Sequence, residues 1–453
     1  MKSISLPYRP DSTALFEAIA DEPWAVFLDS GHPHTSGRID LLAARPYLTL
    51  VTRGGVTEVN GPQGMKICKD DPLELLRRHL PKDRVAAPFF FAGGAIGYFA
   101  YDLAPRLADR PAAGKAGILP EMAVGLYDWA VVVDHARRET RLVSAGCQPG
   151  GAALVAELAP LFGQAEFPPA ARRAFRVTEE LRCNFSAPSY RRAFARIQDY
   201  IRAGDCYQVN LAQYFSAASA GDPWLAYLRL RRFNPAPFSA YLNYPFGQVL
   251  SCSPERFLRL QEGRVETRPI KGTRPRAADP TRDAALALEL QQSPKDRAEN
   301  LMIVDLLRND LGKVCVPGSV TVPELFKLES FAKVHHLVSS VSGRLAPGRD
   351  ALDLLRAAFP GGSITGAPKR RAMEIIAELE PDPRSLYCGA IGWLGNDGAM
   401  DLNIAIRTAV IAQNRLHFWA GGGIVADSRA AEEYQECLDK ASAFLQFVEA
   451  HRA

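Results

Sequence analysis

The sequence has no apolar run long enough to cross a bilayer. Its longest, residues 86–101, is interrupted by Gly93, Gly94 and Gly97 and falls short of the ~20 residues a spanning helix needs. The opening stretch, MKSISLPYRPDSTALF, lacks the apolar centre of a signal peptide. The eight cysteines (68, 147, 183, 206, 252, 315, 388 and 437) form no C-x-x-C pair and no Cys/His zinc spacing, which argues against a disulfide framework or a zinc module. Reduced thiols and the absence of export signals point to the cytoplasm. Net charge is only +4, too little for a nucleic-acid footprint. The basic clusters Arg191–Arg192, Arg231–Arg232 and Lys369–Arg371 lie beside apolar residues and read as solvated helix faces. There is no 20–50-residue repeat, no low-complexity tract, no Walker A loop and no calcium loop.

What is present is the composition of an ordinary globular chain: 453 residues, 47% hydrophobic and 23% charged. The first third reads as β-rich. Strands are predicted at 24–28, 47–52, 56–59 and 124–134, with a return strand at 140–144 and one helix at 72–80. Residues 163–180 carry a Pro pair and a shift in charge, which marks a linker between a 1–165 region and a 182–450 region. The second region opens on a helix at 189–203. Strands and helices then cluster without regular βαβ alternation, so the fold class is α+β.

The segment 253–273, SPERFLRLQEGRVETRPIKGT, reads as two strands around the turn Glu262–Gly263. A fold-back there sets Glu255 against Lys271, either as a plain ion pair or as an acid/base group beside a nucleophile. Lysine attacks only as the free amine, which requires a dry or cationic setting. Glu299 shares a helical face with Met302, Ile303 and Leu306. Glu433, Glu436 and Lys440 form one helical stripe. Two glutamates from distant helices are suitable hard ligands for Mg2+, or else salt-bridged surface acids. Two glycine-rich stretches, PGGSITGAPK (360–369) and AGGGI (420–424), read as tight turns whose N–H groups can bind an anion. Arg407 strengthens an anion-pocket reading, because arginine clamps carboxylates bidentately. His336 is half of a His335–His336 pair.

Ten segments together resemble the chorismate-binding enzyme family: AGDCYQVNLAQ (203–213), SPERF (253–257), RPIKGTRPR (268–276), AENLMIVDLLRNDLGKV (298–314), HHLVSSV (335–341), FPGGSITGAPKRRAMEII (359–376), YCGAIGW (387–393), IAIRTAV (404–410), AGGGIVADS (420–428) and EEYQECLDK (432–440). FLDSG (27–31) and GGAIGYFAYDL (93–103) extend the likeness into the first third. The resemblance implies two stacked antiparallel sheets flanked by helices, with the 1–165 region woven into the core and 182–450 carrying catalysis.

Within that family the residue after Pro-Ile discriminates. Anthranilate-forming members resemble this segment but carry alanine there, so Lys271 implies amination of chorismate at C4. Lys271 is then the covalent nucleophile and Glu255 the general acid/base. Glu299 and Glu436 hold Mg2+, with Glu433 assisting through water. His336, Ser363, Tyr387, Arg407, Gly421, Gly422, Gly423 and Lys440 line the substrate pocket. The resemblance also implies a tryptophan pocket at Ser30, Arg38, Pro237, Phe238 and Ser239, although residues 32–37 depart from the usual pattern. Trp393 stands where tyrosine is usual. The chain has no glutaminase signature, so ammonia would come from solution or from a glutamine amidotransferase subunit. Anthranilate formation and a non-catalytic chorismate- or tryptophan-binding subunit are the competing readings.

Overall fold

The computed structural model describes residues 2–452 apart from 34, 36–37, 82–88, 109–114, 149, 165–170 and 332–333. Part of the linker expected at 163–180 and the start of the apolar stretch at 86–101 therefore lie outside the described residues.

Two large antiparallel sheets stack face to face with helices around them. One runs Lys2–Leu6, Glu139–Ser144, Trp129–Asp134, Ile39–Ala43, Ala25–Asp29, Phe238–Tyr244, Gly247–Ser253, Thr408–Ala412, Arg415–Ile424, Gln208–Ala220, Arg176–Val177. The other runs Ile270–Pro275, Val334–Arg344, Arg264–Thr267, Arg256–Gln261, Met400–Ile404, Ala390–Gly395, Gly94–Phe99, Met122–Tyr127, Leu48–Arg53, Val56–Gly61, Gly64–Cys68. Strands from before residue 165 and after 182 thus lie side by side in both sheets.

Alternation along the strands builds two cores at once. Val26, Leu41, Ala43, Leu242, Val249 and Val410 face the other sheet. Their neighbours Phe27, Leu42, Tyr241, Leu250 and Ile411 face a second core with the helices Pro223–Phe233 and Ala430–Ala450. With both strand faces buried, these segments read as continuous apolar runs in the sequence.

Several predicted elements change. The strand expected at 124–134 breaks at Asp128 into Met122–Tyr127 and Trp129–Asp134, one in each sheet. Asp128 accepts hydrogen bonds from the Cys147 N–H (2.8 Å) and the Ser144 hydroxyl (3.4 Å). The turn at Glu262–Gly263 is present, both residues having positive φ (51° and 74°), as a two-residue hairpin requires. Its register pairs Arg259 with Glu266 and Gln261 with Arg264, one residue from the expected sum. The ladder also stops at Thr267. The hairpin ladder therefore does not set Lys271 opposite Glu255.

Candidate active site

Lys271 stands on Ile270–Pro275, which pairs with Val334–Arg344. The register slips between Ile270–Val338 and Thr273–His336, a bulge that falls on Lys271 and Gly272. Gly272 takes φ +86°, a conformation open to glycine at little cost. The bulge re-aims the lysine side chain. Glu255 lies just before Arg256–Gln261, its carbonyl accepting the Ile404 N–H at 3.0 Å.

The two lie within reach of each other's charge. Glu255 is 4% exposed. Burial pushes its carboxyl up to about 7, against the Ser363 hydroxyl and the Lys271 charge, which pull it down. The Ser363 Oγ donates to Glu255 Oε1 at 2.9 Å. Burial also lowers the Lys271 ammonium from its ordinary range. The Lys440 charge adds to this, while Glu299, Glu255 and Glu436 oppose it. All four of these charged groups are thus within electrostatic reach of one amine.

Glu299 projects from the helix Pro294–Gly312. The buried row of that helix is Asn300, Ile303, Val304, Leu307 and Leu311, so Glu299 borders the core, with Met302 and Leu306 only half-buried beside it. Burial raises Glu299, and Glu436 raises it further against the pull of Lys271. Burial would raise Glu436 too, but Lys440, at 2.7 Å, holds it below the usual range. Glu433 is buried, accepts the Ser428 hydroxyl at 2.6 Å on Oε1 and leaves Oε2 without a hydrogen-bond partner among the described residues.

The glycines of AGGGI form a strand, contrary to the turn expected from sequence. Gly421, Gly422 and Gly423 pair with Ala212, Leu211 and Asn210 within Arg415–Ile424. They are small because charged groups crowd over them. A Cβ on Gly422 would lie 3.0 Å from Glu433 Oε2 and 3.7 Å from Glu436 Oε1. One on Gly423 would meet Gln208 Nε2 at 2.7 Å. The Lys440 ammonium donates to the Gly421 carbonyl at 3.1 Å.

Arg407 has φ +50° and donates from Nη1 to the Lys440 carbonyl. Burial lowers its guanidinium, with Tyr387 close enough to oppose the shift. Tyr387 is 6% exposed and pushed well up by burial. The histidine pair divides by strand alternation. His335 turns to Ser330 (2.7 Å) and Asp283 (3.1 Å), whereas His336 contacts Thr273 Oγ1 (2.9 Å) and is lowered to about 4 by burial, then by Arg407.

A chain of contacts and charge interactions links the twelve residues expected around substrate and metal. Sequence reading passed over Gln208 and Asn210 beneath Gly423. Their period-two spacing in CYQVNLAQ is the signal that places both on one strand face. It also missed Lys369, whose ammonium bonds Asp310 (2.6 Å) and the Ala358 carbonyl (2.7 Å), tying down the loop that carries Ser363. Ser30, Arg38, Pro237, Phe238 and Ser239 line a separate cavity of about 870 Å3. Arg38 pairs there with Asp134 at 2.7 Å.

The chain belongs to the chorismate-binding enzyme family, whose pattern matches residues 25–446. Among relatives, it is 51% identical to aminodeoxychorismate synthase component 1 of Klebsiella aerogenes and 46% identical to that of Escherichia coli (strain K12), covering 98% of each chain in both cases. It is 42% identical to anthranilate synthase component 1 of Streptomyces coelicolor over 83% of this chain and 77% of that one. The crystal structure of anthranilate synthase component I from Streptococcus pneumoniae TIGR4 superposes with a TM-score of 0.80 at 33% identity, covering 90% of this chain and 92% of that one. Among the described residues, no helix is long and apolar enough to cross a membrane.

Proposed function

We propose that this chain aminates chorismate at C4, forming 4-amino-4-deoxychorismate by way of a covalent adduct on Lys271. The observation that carries this reading is the bulged Lys271, half-buried and within electrostatic reach of a carboxyl that burial drives toward neutrality and Ser363 holds in place. Relatives named aminodeoxychorismate synthase component 1, alike over nearly the whole chain, support it.

In the first step the neutral Lys271 amine forms a bond to ring C2. The ring double bond shifts and the C4–O bond breaks. Protonated Glu255 gives its proton to the departing hydroxyl, which leaves as water. In the second step ammonia bonds to C4, the double bond shifts back and the C2–N bond breaks. The lysine departs as the free amine, and Glu255 recovers a proton from the incoming nitrogen. Two easier displacements replace one difficult one. Arg407 and Tyr387 suit the enolpyruvyl carboxylate. The Gly421–Gly423 strand, together with Lys440, His336 and Ser363, shapes the ring pocket.

Glu299 and Glu436 would hold Mg2+. The residues fit: Glu299 and Glu436 sense each other's charge, and Glu433 turns an unpartnered oxygen into the same space beside Gly422. When bound, such an ion neutralises the ring carboxylate. A glutamine amidotransferase subunit is the proposed source of ammonia, and the cytoplasm the proposed location. The 870 Å3 cavity is the proposed tryptophan site.

The deciding experiment incubates the protein with chorismate, Mg2+ and ammonium chloride, then adds a lyase that releases p-aminobenzoate. Product appearing only after the lyase supports the proposal. Anthranilate as the main product assigns the chain to the other branch, and chorismate binding without turnover makes it a regulatory subunit.

A further inference from the structure

Behind the loop that carries Ser363 lies a second cavity, of about 750 Å3. Its wall is largely apolar, with Met302, Leu306, Phe359 and Met373 among the lining. The partition between this cavity and the catalytic residues is thin. Ser363 bonds to Glu255 on one side. On the other, Leu306 seats against Gly362 so closely that a Cβ there would lie 2.1 Å from Leu306 Cδ2.

Polar and charged side chains share the wall: Tyr101, Asp102 and Glu121 stand among them, as do the cations Lys115, Lys313, Lys369, Arg370 and Arg384. Tyr101 is 8% exposed and its hydroxyl has no hydrogen-bond partner among the described residues. Glu121 Oε1 accepts the Gly54 N–H at 3.0 Å, but Oε2 is buried with no hydrogen-bond partner among the described residues. Asp102 accepts one hydrogen bond, from the Ser385 N–H at 2.9 Å. Neither carboxylate is in a salt bridge among the described residues. Nearby cations are committed elsewhere. Arg384 binds Glu380 and the carbonyls of Ile364 and Asn210. Lys115 donates to the Glu380 carbonyl, Lys369 to Asp310, and Arg106 to the carbonyls of Gly54, Lys69 and Asp70. Burial pushes the Asp102 carboxyl up to about 7. Arg384 offsets the Asp102 charge, and Arg106 and Arg53 the Glu121 charge, only in part, so two acids outside any ion pair and an idle hydroxyl remain able to accept donors from a cation that enters.

We propose that this cavity binds ammonium ion, the protonated form of the nitrogen substrate, through Asp102, Glu121 and the Tyr101 hydroxyl, and holds it one loop away from the catalytic centre. The inference rests on the amination proposed above. Ammonium fits the chemistry because it has four donors to meet the unpaired oxygens and no apolar body to clash with the wall. At neutral pH almost all ammonia is protonated, so a station that collects the ion raises its local concentration. Transfer of one proton to the Asp102 carboxylate forms an O–H bond, breaks an N–H bond and leaves neutral ammonia. The proton then returns to water through the open side of the cavity, where Tyr207 is 71% exposed.

The test varies ammonium chloride at saturating chorismate and Mg2+, with sodium chloride holding ionic strength constant. Asp102→Asn and Glu121→Gln should each raise the KM for ammonium about tenfold, roughly the loss of one charged contact, with the KM for chorismate unchanged. Tyr101→Phe should raise it about threefold. Because Asp102 also holds the Ser385 N–H, the Glu121 and Tyr101 variants serve even if Asp102→Asn fails to fold. As a direct readout, ammonium chloride should raise the melting temperature of the parent protein above its value in sodium chloride, and Glu121→Gln should abolish that difference. An unchanged ammonium KM in Glu121→Gln and Tyr101→Phe, or equal melting temperatures of the parent in the two salts, overturns the inference. Failure of the parent protein to aminate chorismate overturns the reaction itself, a separate result.

Discussion

The Ser363 hydroxyl and the Glu255 carboxylate, 108 residues apart, are joined by a 2.9 Å hydrogen bond in a buried setting. Burial drives that carboxyl toward neutrality while Ser363 moderates the shift. The acid is thus protonated for part of the time at physiological pH, as donation to a leaving hydroxyl demands.

Glu255 sets the first prediction. Its folded-state value, about 7, exceeds the ordinary 4.5. The proton needed for hydroxyl departure is present below pH 7 and lost above it, so kcat should decline on that alkaline limb. Stability follows the same sign: it is greatest below the unfolded value and falls as pH rises through 7. Glu255→Gln should remove the limb along with most of the activity, and should raise the melting temperature more at pH 8 than at pH 5. A parent kcat–pH profile flat from pH 6 to 8 contradicts the assignment.

Lys271→Ala should abolish any enzyme–substrate adduct in intact mass spectra and lower turnover by about 10²–10⁴-fold, the range typical of a lost catalytic group. An adduct that persists in this variant removes Lys271 from the nucleophilic role.

The carboxylate group predicts metal dependence. Mg2+ should raise the melting temperature of the parent protein, and Glu299→Gln or Glu436→Gln should weaken Mg2+ binding in calorimetric titration by about tenfold or more. Unaltered titration curves in both variants would place the ion elsewhere.

Gly422→Ala puts a methyl carbon 3.0 Å from Glu433 Oε2 and 3.7 Å from Glu436 Oε1. The strand φ needs no glycine there, so the fold should survive with a melting temperature within a few degrees of the parent. The KM values for chorismate and Mg2+ should both rise. A variant with parental kinetics would show that the carboxylates do not work at this distance.

Much of this was legible in the sequence because it depends on residue identity at fixed spacing. Glu299 beside an apolar row, the Glu433–Glu436–Lys440 stripe and the turn at Glu262–Gly263 all follow from helical or strand periodicity. What periodicity could not supply was long-range choice. The run at 124–134 is uniformly apolar because both strand faces are buried, so nothing in it announces that Asp128 sends its two halves to different sheets. The three glycines at 421–423 resemble a turn because local rules associate glycine with turns. Their actual cause is a helix lying over the strand with three charged side chains. The electrostatic proximity of Glu255 and Lys271 does not come from the hairpin ladder expected at Glu262–Gly263: the lysine sits at a bulge on the neighbouring strand.

The interleaving of strands has a consequence for how the molecule can be divided. Five strands of each sheet come from residues before Gly163. A cut near that point frees no working module. It unzips both layers at once, leaving two fragments with raw hydrogen-bonding edges and uncovered oily faces. Neither half should be stable by itself, yet the two, expressed together, have every reason to knit back into one enzyme.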